Sequence, residues 1–238
     1  MEAIAPQVVF YLFGLPITDT IVSTWVLTVI LIVLAAVIRT AAPGAGEMIV
    51  EMITGIVNSV MPDEEKATDF LPFLGTLMIF LVLGNIFSIF PLMVSPTANI
   101  NTTLALSLLV FFAVHYYGIR EKGLWHYIKD TATPIFIFPL EVVSQLSRTL
   151  SLTIRLFGNI LSTDMIVAIV FSLIPFLVPL PLAALGMLTG VLQAYIFTVL
   201  ASLYIASAIE IADEEEERRE MKQELIQEEQ QQKLPQTS

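Results

Sequence analysis

Long, almost uncharged apolar runs are the feature that most restricts what this chain can fold into. They extend over residues 20–38, about 70–90, about 103–117, 139–174 and 182–211. A helix of roughly 20 apolar residues is long enough to cross the hydrocarbon core of a bilayer, and most of these runs reach that length. We therefore expect an all-α integral membrane protein with about five membrane-embedded helices.

The composition agrees with this class and excludes several others. Of the 238 residues 56% are hydrophobic and only 14% are charged, whereas soluble domains carry about 25% charged residues. Without cysteine the chain can form neither disulfides nor thiolate metal sites, and the net charge of −11 argues against a nucleic-acid partner. His115 and His126 do not stand at metal-ligand spacing with acids, so we expect no metal site and no cofactor. The N-terminus lacks a basic start and a small-residue cleavage site, which argues against a cleavable signal peptide.

One further segment has the character of a surface helix. "EMIVEMITGIVNSVM", Glu47 to Met61, places Glu47 and Glu51 one helical turn apart among apolar residues. It is too short and too polar along one edge to cross a membrane. We expect an amphipathic helix that lies at the membrane interface.

The last two apolar runs predict a long hairpin. Residues 139–174 contain no proline after Pro139, the first residue, and a single glycine, Gly158. A helix of that length would measure about 54 Å, against about 30 Å for the hydrocarbon core. It must therefore tilt strongly or lie nearly in the membrane plane. The prolines of "PFLVPLP" would turn the chain back into the run 182–211.

Residues 212–238 form an acidic tail whose charge and glutamine content cannot bury a core. We expect residues 1–211 to form the membrane domain and the tail to be cytoplasmic, a solvated helix that frays into disorder. With the N-terminus outside, all loop and tail cations fall on the cytoplasmic side, as the positive-inside rule requires. These are Arg39, Lys66, Arg120, Lys122, Lys129, Arg218, Arg219, Lys222 and Lys233.

A polar stripe marks the first helix of the hairpin. Its members recur every three or four residues and so share one helix face: Glu141, Ser144, Arg148, Ser151, Arg155, Asn159 and Ser162. An arginine at bilayer depth costs from ~2.5 to more than 10 kcal/mol. Glu141 and Asp164 are both poorly placed on this helix to neutralise Arg155. Its partner should lie on another helix or another subunit, and a purely structural buried pair is the alternative.

The second helix of the hairpin carries a weaker stripe. Gly186, Thr189, Gly190 and Gln193 share a face, and Tyr204 continues it. A glutamine on an apolar helix is often a hydrogen-bonding contact between helices. An antiparallel hairpin could equally bring Gln193 near Arg155, so both readings remain open.

Four segments together resemble one protein family. "LSLTIRLFGNI", "LQAYIFTVLASLYIA", "SPTANINTTLALSL" and "HYYGIREKG" are similar to subunit a of the F-type rotary ATP synthases, in the family's order, from about Phe70 to Ala206. The resemblance implies a membrane stator that forms the ion path beside the rotating c ring. It also implies the c ring and the b subunits of the peripheral stalk as partners, H⁺ or Na⁺ as the coupling ion, and a bacterial plasma membrane as the location.

The resemblance assigns ion-translocation roles residue by residue. Arg155 corresponds to the essential stator arginine, Asn159 to the asparagine of the same motif and Gln193 to the glutamine that opens "QAYIFT". Glu141 and Asp164 correspond to acids of the ion path. Further polar residues that would line this path are Ser144, Arg148, Ser151, Ser162, Thr189 and Tyr204.

Two positions depart from the family pattern. Thr163 stands where a small residue, often glycine, is common, and Gly186 stands where some bacterial members carry histidine. The chain has no phosphate-cradling glycine loop with lysine, so we expect no direct ATP binding and no catalysis of bond chemistry.

Two other classes of protein are alternatives. A secondary transporter could use Arg155 to hold an anionic substrate, but it would show inverted repeats with broken helices, and no internal repeat is found. An intramembrane enzyme would need a nucleophile with a base, and the serines of the stripe have no histidine nearby.

Overall fold

The computed structural model describes residues 8–12, 14–60, 64–87, 95–123, 138–174 and 178–232. Within these ranges a β-hairpin precedes six α-helices, and a 3₁₀ turn at Pro96–Ala98 leads into the fourth. The helices are α1 Asp19–Ala41, α2 Pro43–Asn58, α3 Glu64–Phe87, α4 Ile100–Lys122, α5 Phe138–Leu173 and α6 Pro179–Gln232.

The helices confirm the all-α membrane fold. Five of those described, all but α2, are long and apolar enough to cross a bilayer, so the chain is a multi-pass membrane protein. The expectation that Arg120 and Lys122 lie in a loop is wrong, because α4 continues to Lys122 and ends at Gly123, which has a φ of 77°. Arg120 on this last turn pairs with Asp69 of α3 at 2.9 Å. The predicted end of the second span at Phe90 lies outside the described residues, as do residues 124–137, including His126.

The sequence patterns did not predict the β-hairpin. Strand β1 (Val8–Leu12) pairs antiparallel with β2 (Leu15–Thr18). Gly14 in the turn has a φ of 82°, a conformation that favours glycine because it has no Cβ. The available signal was a pair of short apolar runs on either side of that glycine.

A bundle of α3, α4, α5 and α6 forms the core. Helix α6 packs against the other three, and α4 also packs against α5. The fully buried side chains at its centre are Leu74, Leu81, Leu152, Leu156, Phe197 and Ile205. In this way α5 and α6 are held side by side along the length that carries the two polar stripes.

Helix α2 has the burial pattern of an amphipathic helix. Ile53, Ile56 and Val57 are buried in the core, and α2 packs against α3. Glu47 and Glu51 are exposed. The acidic edge therefore points away from the bundle.

The hairpin helices are longer than a bilayer is thick. Helix α5 has 36 residues, or about 54 Å at 1.5 Å per residue. Helix α6 has 54 residues and continues without a break past Ile211, where the tail was predicted to begin. That the tail forms a separate cytoplasmic segment stays a prediction.

Candidate functional site

Arg155 lies at the middle of α5, and its side chain is exposed. Ser151 and Ser162, one and two turns away on the same face, are also exposed. Among the described residues no carboxylate lies within ion-pair distance of the Arg155 guanidinium. The ion pair that the described residues do form joins Arg120 of α4 to Asp69 of α3. The other stripe members Glu141, Ser144, Arg148 and Asn159 are half-buried. The stripe therefore runs along the edge between the core and the open surface of α5.

Direct contacts fix the register of α5 against α6. The amide nitrogen Nδ2 of Asn159 donates to the backbone oxygen of Thr189 at 3.3 Å. One turn back on α5 and one turn forward on α6, the same antiparallel register puts Arg155 and Gln193 at one level. Their side chains nevertheless differ, since Arg155 is exposed and Gln193 is buried. Within the described part of the chain, Nε2 of Gln193 has no hydrogen-bond partner.

Two glycines one turn apart bring α6 close to its neighbours. A Cβ added at Gly186 would collide with Cγ2 of Thr163 on α5, and one at Gly190 would lie 3.0 Å from Cβ of Asn85 on α3. Small residues at this spacing let helices in membranes pack closely. The two departures from the family pattern, Thr163 and Gly186, are therefore in contact, and the threonine methyl occupies the space that a side chain at 186 would need.

A polar pocket, here called the Asp164 pocket, opens beside this contact. It has a volume of about 100 Å³, which is room for several water molecules. Its lining residues are Asn85, Ile160, Thr163, Asp164, Val167, Ala183, Gly186 and Met187. Small side chains on α6 make the space, and Asp164 supplies its carboxylate.

Asn85 is a site residue that the sequence patterns did not predict. It is buried, and its Nδ2 donates to the backbone oxygen of Gly190 at 2.8 Å. Its Oδ1 accepts from the hydroxyl of Thr97 at 3.4 Å, which ties the 3₁₀ turn to α3 and α6. An amide inside an apolar span is itself a signal of an intramembrane functional or packing role, and that signal was available in the sequence.

A second polar pocket, here called the Arg148 pocket, lies on the other side of Arg155. It is smaller, with a volume of about 10 Å³, and its lining residues are Ser107, Val110, Phe111, Val114, Gln145, Arg148, Thr149, Leu152 and Tyr204. The guanidinium carbon of Arg148 stands 5.3 Å from the centre of the Tyr204 ring, a cation–π contact. Gln145 in turn donates to the carboxylate of Glu141 at 2.9 Å.

The two pockets flank Arg155 along the same helix. Arg148 precedes it by seven residues and Asp164 follows it by nine, which correspond to about 10 Å and about 13 Å of helix rise. Arg155 lines neither pocket. The arrangement is a permanent cation on an exposed surface, with one polar cavity on each side of it along α5.

The described residues contain no group of three or more histidine, aspartate or glutamate side chains that could hold a metal ion. The ionisable groups at and beside the two pockets are the carboxylate of Asp164, the guanidinium of Arg148 and the carboxylate of Glu141, which Gln145 contacts.

Comparison with known proteins shows the family of the chain. Residues 20–206 match the family model described as ATP synthase A chain. The chain is 41% identical to "ATP synthase subunit a 2" of Bradyrhizobium sp. over 84% of this chain and 92% of the relative. It is 44% identical to "ATP synthase subunit a 1" of Crocosphaera subtropica over 69% and 71% of the two chains. It is 37% identical to "ATP synthase subunit a" of Nitrosospira multiformis over 85% and 84%.

Proposed function

Because the chain belongs to the ATP synthase A chain family, as a subunit of the enzyme's membrane sector, we propose that it is the stator through which ions cross the membrane to turn the rotor. In this role it catalyses no bond chemistry and binds no ATP. It couples the flow of H⁺ or Na⁺ to rotation of a ring of c subunits, each of which carries one ion-binding carboxylate. The b subunits of the peripheral stalk hold it in place.

The observation that carries the proposal is the exposed Arg155 in the middle of a membrane helix. In lipid alone this cation costs from ~2.5 to more than 10 kcal/mol, and no described acid of the chain lies close enough to neutralise it. A carboxylate on another subunit would remove that cost. The open surface of α5 around Arg155 leaves room for such a subunit to pass.

Electrostatics then gives the step that couples ions to rotation. A rotor carboxylate facing lipid must be neutral, because a bare charge there is expensive. Beside Arg155 its ionised form is favoured, since an opposite charge nearby lowers a carboxyl pKa by about 1–3 units. The carboxylate therefore releases its ion on approaching Arg155 and binds another after passing it. Arginine suits this position because, unlike lysine, it keeps its charge when buried.

The two pockets support a pair of offset half-channels. The Asp164 pocket would connect one membrane face to the level of the rotor carboxylate, and the Arg148 pocket, with Glu141 nearby, would connect the other. Because Arg155 stands between them as a fixed cation, positive ions cannot pass directly from one pocket to the other. Ions must travel on the rotor, which is what makes the flow turn it.

The positive-inside rule sets the orientation in this proposal. The N-terminus lies outside and the C-terminus in the cytoplasm of a bacterial cell. The Asp164 pocket then belongs to the outer half-channel and the Arg148 pocket to the cytoplasmic one. Asn159 and Gln193 lie within one turn of the level of Arg155, where they would hydrate or orient the passing carboxylate.

The proposal is tested by Arg155→Ala in the assembled ATP synthase, measured as ATP-driven ion pumping in inverted membrane vesicles. We expect coupled pumping to be lost, while ATP hydrolysis by the soluble head persists once the head is detached. Ile154→Ala is the matched control, because it shortens the adjacent exposed side chain without removing a charge. Its pumping should stay close to that of the unaltered complex.

Intact coupled pumping in the Arg155→Ala complex would reject the proposal. An anion transporter, the alternative from a different class, would instead lose substrate uptake in this variant and would purify without a rotor ring.

A further inference from the structure

The β-hairpin at the start of the described chain is apolar on both of its faces. Phe10 and Tyr11 are consecutive on β1, pair with Ile17 and Pro16 of β2, and so point to opposite faces. Both are exposed, Phe10 by 41% and Tyr11 by 71%. No charged residue occurs between Glu2 and Asp19. A hairpin in water normally keeps one polar face, and this one has none.

The hairpin is fixed at one end of a membrane span. Thr18 is the last residue of β2 and Asp19 is the first residue of α1, so no linker separates them. Ile17 is buried, and β2 contacts α1. The match to the family model begins at residue 20, so the hairpin lies outside it.

Physical chemistry restricts the depth at which such a ribbon can sit. An isolated two-stranded hairpin is at best marginally stable in water, and this one would expose large apolar side chains there. The hydrocarbon core is excluded as well, because the open edges of two strands carry backbone groups that would lack hydrogen-bond partners. At the interface, headgroups and water satisfy the strand edges while the acyl boundary receives the apolar side chains.

We propose that this hairpin is a lipid anchor, lying in the headgroup layer of the leaflet at which α1 begins. Lipid is favoured over a protein partner because both faces are apolar and exposed. A docked protein would cover one face and leave the other in contact with water, whereas a fluid interfacial layer surrounds both. Tyr11 on the hairpin and exposed Trp25 on α1 are the kinds of side chain that concentrate at membrane interfaces.

The anchor has a task in this fold because α1 is weakly attached to the bundle. The buried residues of α1 are Thr20, Ser23 and Leu27, all in its first three turns. From Thr28 onward no residue of α1 is buried. Anchored in the headgroup layer, the hairpin attaches the N-terminal end of α1 to the membrane surface. It thereby fixes the depth and tilt of a helix that otherwise has few contacts.

Because the chain has no cysteine, single substitutions can carry a spin label to each face. We would place Phe10→Cys and Tyr11→Cys separately in the full chain, assembled in its complex and reconstituted in phosphatidylcholine–phosphatidylglycerol vesicles. Collision of the nitroxide with oxygen, which enters lipid, is compared with collision with a water-soluble nickel chelate. Thr28→Cys, exposed on α1, is the deep reference, and Asn101→Cys, exposed at the start of α4, is the polar one.

We expect both hairpin labels to collide several-fold more with oxygen than with nickel, relative to the Asn101 label, and to lie shallower than the Thr28 label. A label protected from both reagents on one face alone would overturn the proposal in favour of a protein contact. Free nickel access on both faces would overturn it in favour of a hairpin in water. The measurement reports only depth, so it stands or falls independently of ion conduction past Arg155.

Discussion

The Asp164 pocket and the Arg148 pocket flank the same arginine, but opposite kinds of side chain build them. On the Asp164 side, Gly186 and Ala183 leave space and the charged group is an acid. On the Arg148 side, Tyr204 and Phe111 fill the space and the charged group is a permanent cation. One side of Arg155 is therefore wide and titratable, and the other is narrow and positively charged.

The difference shows how α5 and α6 can line two pockets of different size and charge. The same antiparallel register sets both pockets, so size is decided by the residues that α6 presents at each level. A wide acidic cavity attracts and holds a cation, whereas a narrow cavity with its own cation disfavours one. In the proposed mechanism, the two routes to the rotor should therefore respond differently to equivalent substitutions.

The largest difference should appear when the charge of each pocket is removed. For Asp164→Asn we expect coupled pumping to fall by about tenfold or more, equivalent to at least ~1.4 kcal/mol, because no other described residue lining that pocket carries a charge. For Arg148→Gln we expect a fall of about fivefold, since a cation–π contact between half-buried side chains contributes about 1 kcal/mol. Initial rates of ATP-driven pumping in vesicles compare the two. Equal losses of pumping in the two variants would contradict the proposed difference between the two pockets.

The space in the Asp164 pocket can be tested through the contact between Gly186 and Thr163. We expect Gly186→Ala to destabilise the protein by about 1–2 kcal/mol, because overpacking costs about 1–3 kcal/mol and better helix propensity returns up to about 1 kcal/mol. Thermal unfolding in detergent gives the difference.

The matched background is Thr163→Ser, which removes only the methyl group that the new Cβ would meet and keeps the hydroxyl that donates to the backbone oxygen of Asn159. In the Thr163→Ser background, Gly186→Ala should leave the stability of the protein unchanged or raise it. A similar loss in both backgrounds would show that this contact does not determine the width of the pocket.

The narrow pocket depends on the ring of Tyr204. We expect Tyr204→Leu to lower pumping by about two- to fivefold, the effect of losing ~0.5–1 kcal/mol of cation–π attraction, because the Arg148 side chain is then free to move into the cavity. Tyr204→Phe keeps the ring and should pump like the unaltered protein. If both variants lost pumping to the same degree, the hydroxyl of Tyr204 and not its ring would be the important group, and if neither lost it, the contact with Arg148 would not matter for pumping.

The smallest effect should come from the hydrogen bond that sets the register between the pockets. Asn159→Ala removes the 3.3 Å contact with Thr189, and hydrogen bonds between membrane helices contribute about 0.6 kcal/mol on average. Thermal unfolding should therefore change little. Pumping should change more than stability does, if Asn159 also acts on the passing carboxylate. Asn101→Ala, at the exposed start of α4, is the control for amide removal.

The sequence was sufficient to predict the spans and the polar stripe, because both are local patterns. Hydrophobic length identifies a membrane helix residue by residue, and spacing of three or four places Arg155 and its neighbours on one face. The β-hairpin was missed because its two strands are short and their apolar runs lack the length that a membrane helix shows.

The pockets could not be predicted because they are made by three helices each. Nothing near Arg148 in the chain indicates Tyr204, which lies 56 residues further on, and Asn85 meets Gly190 only because α3 packs on α6. The sequence left open whether Gln193 lies near Arg155 or only joins two helices. It could not decide that one side chain would be buried and the other exposed, because that depends on how α6 is rotated in the bundle.

The unbroken course of α6 has a mechanical consequence. The apolar span of α6 ends at Ile209, and the helix continues from there for 23 residues to Gln232, a length of about 35 Å. A stiff rod of this kind works as a lever, and a change of about 5° in its inclination would swing the far tip by roughly 3 Å at that length. A small change in the tilt of the apolar part of α6 would thus become a larger displacement at the far end of the helix.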